Sequence, residues 1–134
     1  MDAATAYRRR SIEGASPLGL VVLLYQAACV EMRRAASALD RGDIETRTRA
    51  LNKVLAIVGE LRAALDFERG GPIAQQFAAL YRLAERGVLE ASTRQDPAPL
   101  REVLEQFVLV RDAWQKIEAS QDATPAGLEA AWPA

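Results

Sequence analysis

Gly and Pro cut this sequence into four long segments, and within each the apolar residues recur at steps of three and four. That period belongs to α-helices; a strand would alternate every two residues. Ser16-Pro17 is a helix start, with Ser as the N-cap and Pro at the first helical position. The helix it opens carries Leu18, Val21, Tyr25, Ala28, Met32, Ala35 and Leu39 in one stripe, and Gly42 stops it. Asp43 can cap a second helix, expected to run to about Phe67. It has two adjacent stripes, Leu51, Leu55, Val58 and Leu65 beside Ala50, Val54, Ile57, Leu61 and Ala64. Arg69-Gly70-Gly71-Pro72 breaks the chain. Pro72 is expected to open a third helix to about Ser92, with Ile73, Phe77, Leu80, Tyr81, Ala84 and Val88 on one side. Asp96-Pro97 repeats the cap-plus-proline start. The fourth helix places Leu100, Val103, Phe107, Val110, Trp114 and Ile117 in heptad spacing, to about Ala119.

Four helices of similar length joined by short loops imply an all-α, antiparallel up-down-up-down four-helix bundle. The bundle spans residues 16–119. Residues 1–15, with Arg8, Arg9, Arg10 and Gly14, show no helical period and read as a mobile N-terminal arm. Residues 120–134 are rich in Ala and Pro, hold Leu128 and Trp132, and read as a flexible tail.

Composition narrows the chemistry open to such a bundle. Half of the 134 residues are apolar, largely Ala and Leu, so one core forms without metals or disulfides. There is no His, which removes the commonest general base and metal ligand. With no Glu-x-x-His pair, a ferritin-like di-iron site in its usual form is excluded. Cys29 is the single cysteine, so no internal disulfide forms, and it reads as a small buried hydrophobe. Seventeen basic and eighteen acidic residues are mixed along all the helices, which argues against nucleic-acid binding. Three arginines on the arm are too few for a phosphate or membrane patch. The longest apolar stretch, around Leu18 to Tyr25, is too short to span a bilayer. No signal-like run precedes Pro17, so a cytoplasmic protein is expected.

Glu31, Glu60, Glu68, Glu85 and Glu90 read as solvated helix faces. Asp66 stands apart. At the expected end of the second helix it opposes the dipole, so it calls for a bond to the Tyr25 hydroxyl or a backbone N–H. Gly70 and Gly71 read as the C-cap and tight turn after that helix, not as a phosphate loop. The clearest signal is an apolar surplus. The first half of the first helix and most of the second offer more than one stripe each. That pattern fits either wide core faces or a groove for a partner's amphipathic segment.

The ordered segments resemble the FliS family of flagellar export chaperones. Tyr7 through Pro17 (YRRRSIEGASP) resembles its N-terminal Tyr and Ala-Ser-Pro start. Leu18 through Ala28 (LGLVVLLYQAA) is similar to its first bundle helix, and Gly42-Asp43-Ile44-Glu45 to its first loop. Leu65 through Tyr81 (LDFERGGPIAQQFAALY) carries the most specific likeness. Departures are Gln26 and Ala27 in place of Asp and Gly, Pro72 in place of Glu, and Gln76 in place of Asn. The resemblance covers about residues 7–118.

It implies a cytoplasmic, non-enzymatic bundle without cofactor that binds the disordered C-terminal segment of flagellin, prevents premature polymerisation and assists delivery to the type III export apparatus. An export gate protein is a second implied partner, and a homodimer stays open. The alternative is an adaptor of the same fold for another secretion component or regulator. Leu20, Leu24, Ile57, Leu61 and Ala64 are the candidate groove lining, with Tyr7 and Ile12 on the arm as its cover. Ser16 and Pro17 are expected to fix the arm's exit, and Tyr25 with Asp66 to anchor the first two helices.

Overall fold

The computed structural model describes residues 17–120. Tyr7, Ile12 and Ser16, and residues 121–134 of the expected tail, lie outside the described residues, while Ser120 belongs to the last helix. The described chain forms α1 (Pro17–Arg41), α2 (Ile44–Ala63), α3 (Phe67–Arg94) and α4 (Ala98–Ser120). Each helix packs on its neighbours in sequence and α4 closes the square against α1, most extensively along α1. This is the expected all-α four-helix bundle.

The caps show why the helices begin and end where they do. Gly42, at φ 69°, turns the chain out of α1. Asp43 accepts a hydrogen bond from Thr46 N at 3.1 Å and starts α2. Gln95 closes α3 in the left-handed conformation. Ala98 N donates to Asp96 Oδ1 at 2.9 Å and starts α4. Arg101 pairs with Asp40 at 2.5 Å and Arg47 with Gln95 at 2.5 Å, tying all four helices at one end. At the opposite end lie the N-terminus of α1 and the C-terminus of α4.

The junction between α2 and α3 corrects the sequence reading. α2 ends at Ala63, four residues short of Phe67, and Ala64 is its C-cap. Asp66 is therefore not at a helix C-terminus. It is the N-cap of α3, where its carboxylate accepts from Arg69 N at 3.0 Å. The dipole now favours that charge. Gly70 and Gly71 do not cap α2; they sit inside α3. Gly70 N bonds to Asp66 O at 2.8 Å, closing a single helical turn. Gly71, at φ 52° and ψ −130°, then breaks the helix, and Pro72 opens its longer part. Those dihedrals match the first central position of a type II′ turn, which favours glycine. Pro72 begins the long run as its sequence position suggests, because a proline needs no N–H partner in a first turn.

The core is small side chains around a few large ones. Ala28, Ala35, Ala74, Ala78, Ala84 and Ala91 are buried and bring the backbones close. Tyr25, Tyr81, Phe107 and Trp114 fill the centre. α2 turns the boundary between its two stripes inward: Ala50, Leu51, Val54, Val58 and Leu61 are buried, while Leu55 is exposed. At Gly87 α4 lies close against the backbone of α3. A Cβ there would meet Val103 Cγ2 at 2.7 Å and Pro99 O at 3.2 Å.

Candidate functional site

The apolar surplus collects on the seam between α1 and α2. Glu31 Oε1 lies 3.9 Å from Lys53 Nζ, which fixes the register of the two helices. Toward the start of α1, Ala27, Leu24 and Leu20 follow Glu31 on the same flank, at steps of four, three and four. Toward the end of α2, Ile57 and Ala64 follow Lys53 on the facing flank. Because the helices are antiparallel, the two series run side by side. Leu20, Leu24 and Ile57 are half-buried, and Ala64 is exposed. Leu24 and Ile57 pack on the core from above.

Leu61 differs from the expected lining. It is fully buried and belongs to the core beneath the seam. The reason is angular. At 100° per residue, Leu61 points about 40° closer to the core axis than Ile57, enough to sink a side chain. Pro17 begins α1 at the mouth of the seam, and the chain enters the bundle there.

Sequence reasoning missed Glu31. It is 8% exposed, not a solvated face. Arg34 Nη1 donates to its Oε1 at 2.8 Å, and Oε2 has no hydrogen-bond partner among the described residues. Its place one step beyond Ala27 on the Leu20 flank was the signal. Phe67, 46% exposed, is another apolar side chain left open at this end of the bundle.

Tyr25 and Asp66 do not bond each other. The Tyr25 hydroxyl pairs with that of Tyr81 at 2.7 Å, reaching across the bundle instead of along the α1–α2 seam. Asp66 is held by the backbone of its own helix. Tyr25 also lies 5.1 Å from Phe107 and Tyr81 6.2 Å, centroid to centroid. Phe77 stacks on Trp114 at 5.9 Å. These rings form one connected aromatic cluster. Burial pushes both tyrosine hydroxyls far above their ordinary range. Burial also pushes the Cys29 thiol up, against the pull of Arg111 and Arg33.

Among the described residues, no group of three or more acidic or cysteine side chains could hold a metal ion. No described helix is long and apolar enough to cross a membrane. The arrangement offers apolar area and one buried carboxylate. That suits binding an amphipathic chain, since apolar burial is worth roughly 25 cal/mol per Å2 and needs no reactive group.

A family model described as flagellar protein FliS matches residues 1–121. The chain belongs to the FliS family. The flagellar secretion chaperone FliSB of Pseudomonas aeruginosa is 34% identical to it over 121 residues, covering 87% of this chain and 96% of that protein. FliS of Salmonella typhimurium is 34% identical over 117 residues, covering 84% and 87%. FliS of Bacillus subtilis is 30% identical over 117 residues, covering 87% and 86%. FliS proteins are chaperones of flagellar secretion, not enzymes.

Proposed function

We propose that this protein is the cytoplasmic export chaperone for a flagellin and holds that flagellin's C-terminal segment along the α1–α2 seam. The observation that carries the reading is the row of half-buried Leu20, Leu24 and Ile57 beside Ala64, in a chain of the FliS family. An amphipathic segment laid there covers its own apolar face and that of the seam together. With that face covered, the segment cannot pair with other flagellin molecules before export. Delivery then requires a second encounter, with a component of the export gate. Tyr7 and Ile12 on the arm shield the seam when no cargo is bound, and Ser16-Pro17 sets where the arm leaves it.

Isothermal titration against a synthetic flagellin C-terminal segment from the same organism tests this. Saturable binding with Kd on the order of 10 μM or tighter is expected. Ile57→Asp should weaken it at least tenfold while the helical circular-dichroism signal stays. Absence of binding by the unaltered chain rejects the reading. Co-purification of a different secretion component, with no flagellin, would favour an adaptor of the same fold.

A further inference from the structure

A second apolar seam lies across the bundle from the first, between α3 and α4. Phe77, Leu109, Val110, Ala113, Trp114 and Ile117 line an open cleft of about 250 Å3. The stacked rings of Phe77 and Trp114 form one part of it. Leu109, 65% exposed, and the exposed Ala113 form its outer edge. The five α4 residues repeat at helical steps and follow one flank of its last three turns.

The sequence that continues from this flank matches it. α4 reaches Ser120, one turn past Ile117, and the family match ends at residue 121. Beyond it the chain reads DATPAGLEAAWPA. Thr124-Pro125 is a third cap-plus-proline helix start. Leu128, Ala131 and Trp132 fall at i, i+3 and i+4, one apolar face of a short helix, and Pro133 ends the pattern.

We propose that residues 121–134 fold back antiparallel to α4 and seat Leu128 and Trp132 in the α3–α4 cleft. Register supports this occupant over others. Two antiparallel helices rise equally, about 1.5 Å per residue. A connection centred on Asp122 and Ala123 therefore sets Leu128 level with Ile117, and Trp132 level with Ala113. Connections of about two to five residues are the usual ones between antiparallel helices. Ala113 is the smallest residue of the lining, and beside Trp114 it leaves room for an indole. A helix this short does not hold itself together in water, so its order depends on the cleft. Tethering makes the encounter intramolecular, with an effective concentration on the order of millimolar, so weak contacts suffice. The proposal does not rest on the cargo reading, and its test contains no flagellin.

The test is paramagnetic broadening in the full-length chain. Cys29→Ala removes the native thiol, and Ala134→Cys carries a nitroxide. The methyl signals of Leu109, Val110 and Ile117 should broaden at least threefold, independently of protein concentration. Leu128→Asp with Trp132→Ser should abolish the effect. An unbroadened cleft overturns the proposal, as does broadening at Leu20, Leu24 and Ile57 instead. Broadening that grows with concentration would mean a second copy fills the cleft, and also overturns it. Hydrogen exchange of the unlabelled chain gives a second reading that needs no change at Cys29. Leu128→Asp with Trp132→Ser should speed exchange in the last two turns of α4 at least threefold and leave α1 unchanged. Equal rates in both chains would count against the docked tail.

Discussion

The hydroxyls of Tyr25 on α1 and Tyr81 on α3 meet at 2.7 Å on the diagonal of the bundle, between helices that otherwise barely touch. Both side chains are fully buried, so neither hydroxyl can turn to water. Replacing Tyr25 by Phe leaves the Tyr81 hydroxyl buried and unpaired, which costs about 1–3 kcal/mol. Tyr81→Phe should cost a similar amount. The double variant removes both partners, so its cost should fall well short of the sum. Urea denaturation of the four chains measures the coupling.

The same pair sets an alkaline limit. Burial raises both tyrosine pKa values above the unfolded value near 10, so the folded state holds the neutral forms. Their contribution is therefore complete below about pH 10 and declines as pH rises beyond it. The slope approaches about 1.4 kcal/mol per pH unit for each tyrosine. The urea midpoint should fall from pH 10 to 11 in the unaltered chain and less steeply with both tyrosines replaced by Phe. Identical slopes would remove these two groups as the cause.

At the start of α3, Asp66→Ala should destabilise by about 0.5–2 kcal/mol through loss of the cap. Gly71→Ala should cost about 1–3 kcal/mol for backbone reasons alone. A Cβ at Gly71 meets nothing within 4 Å, but φ 52° with ψ −130° is strained for any L side chain. Thermal melts of the two single variants check both.

Two other glycines should respond in opposite directions. Gly59→Ala in α2 adds a Cβ in open space and should stabilise by about 0.5–1 kcal/mol through helix propensity. Gly87→Ala gains the same propensity but drives its Cβ into Val103 and the Pro99 carbonyl. Val is stiff about χ1 and the carbonyl is backbone, so overpacking of about 1–3 kcal/mol wins. A rise in Tm for Gly87→Ala would show that α3 and α4 can separate freely.

Leu61 is buried beneath the α1–α2 seam, and Cys29 is buried on α1 near Arg111 and Asp112 of α4. Leu61→Ala should lower stability by about 2–5 kcal/mol, as a core truncation does. Cys29 is fully buried with its thiol pushed up, so a thiol reagent at pH 8 should label it only after denaturant is added. Rapid labelling of the native chain would reveal opening of α1.

The steps of three and four, the Asp and Pro starts and the stop at Gly42 determined much of this protein by themselves. They specify four helices, their order, and the caps at Asp43 and Asp96, because local backbone chemistry acts over a few residues. They also marked Leu20, Leu24 and Ile57 as surplus. Only the tertiary structure decided which surplus faces outward. Two adjacent stripes on α2 could each have turned inward; packing against both α1 and α3 chose the line between them, burying Leu61 and leaving Ile57 at the surface. The partner of Tyr25 was also beyond reach of sequence, since it lies 56 residues away across the bundle. Asp66 changed ends for a similar reason. Its spacing to Arg69 N allows a cap in any such segment, and the end of α2 at Ala63 is what makes Asp66 the start of α3.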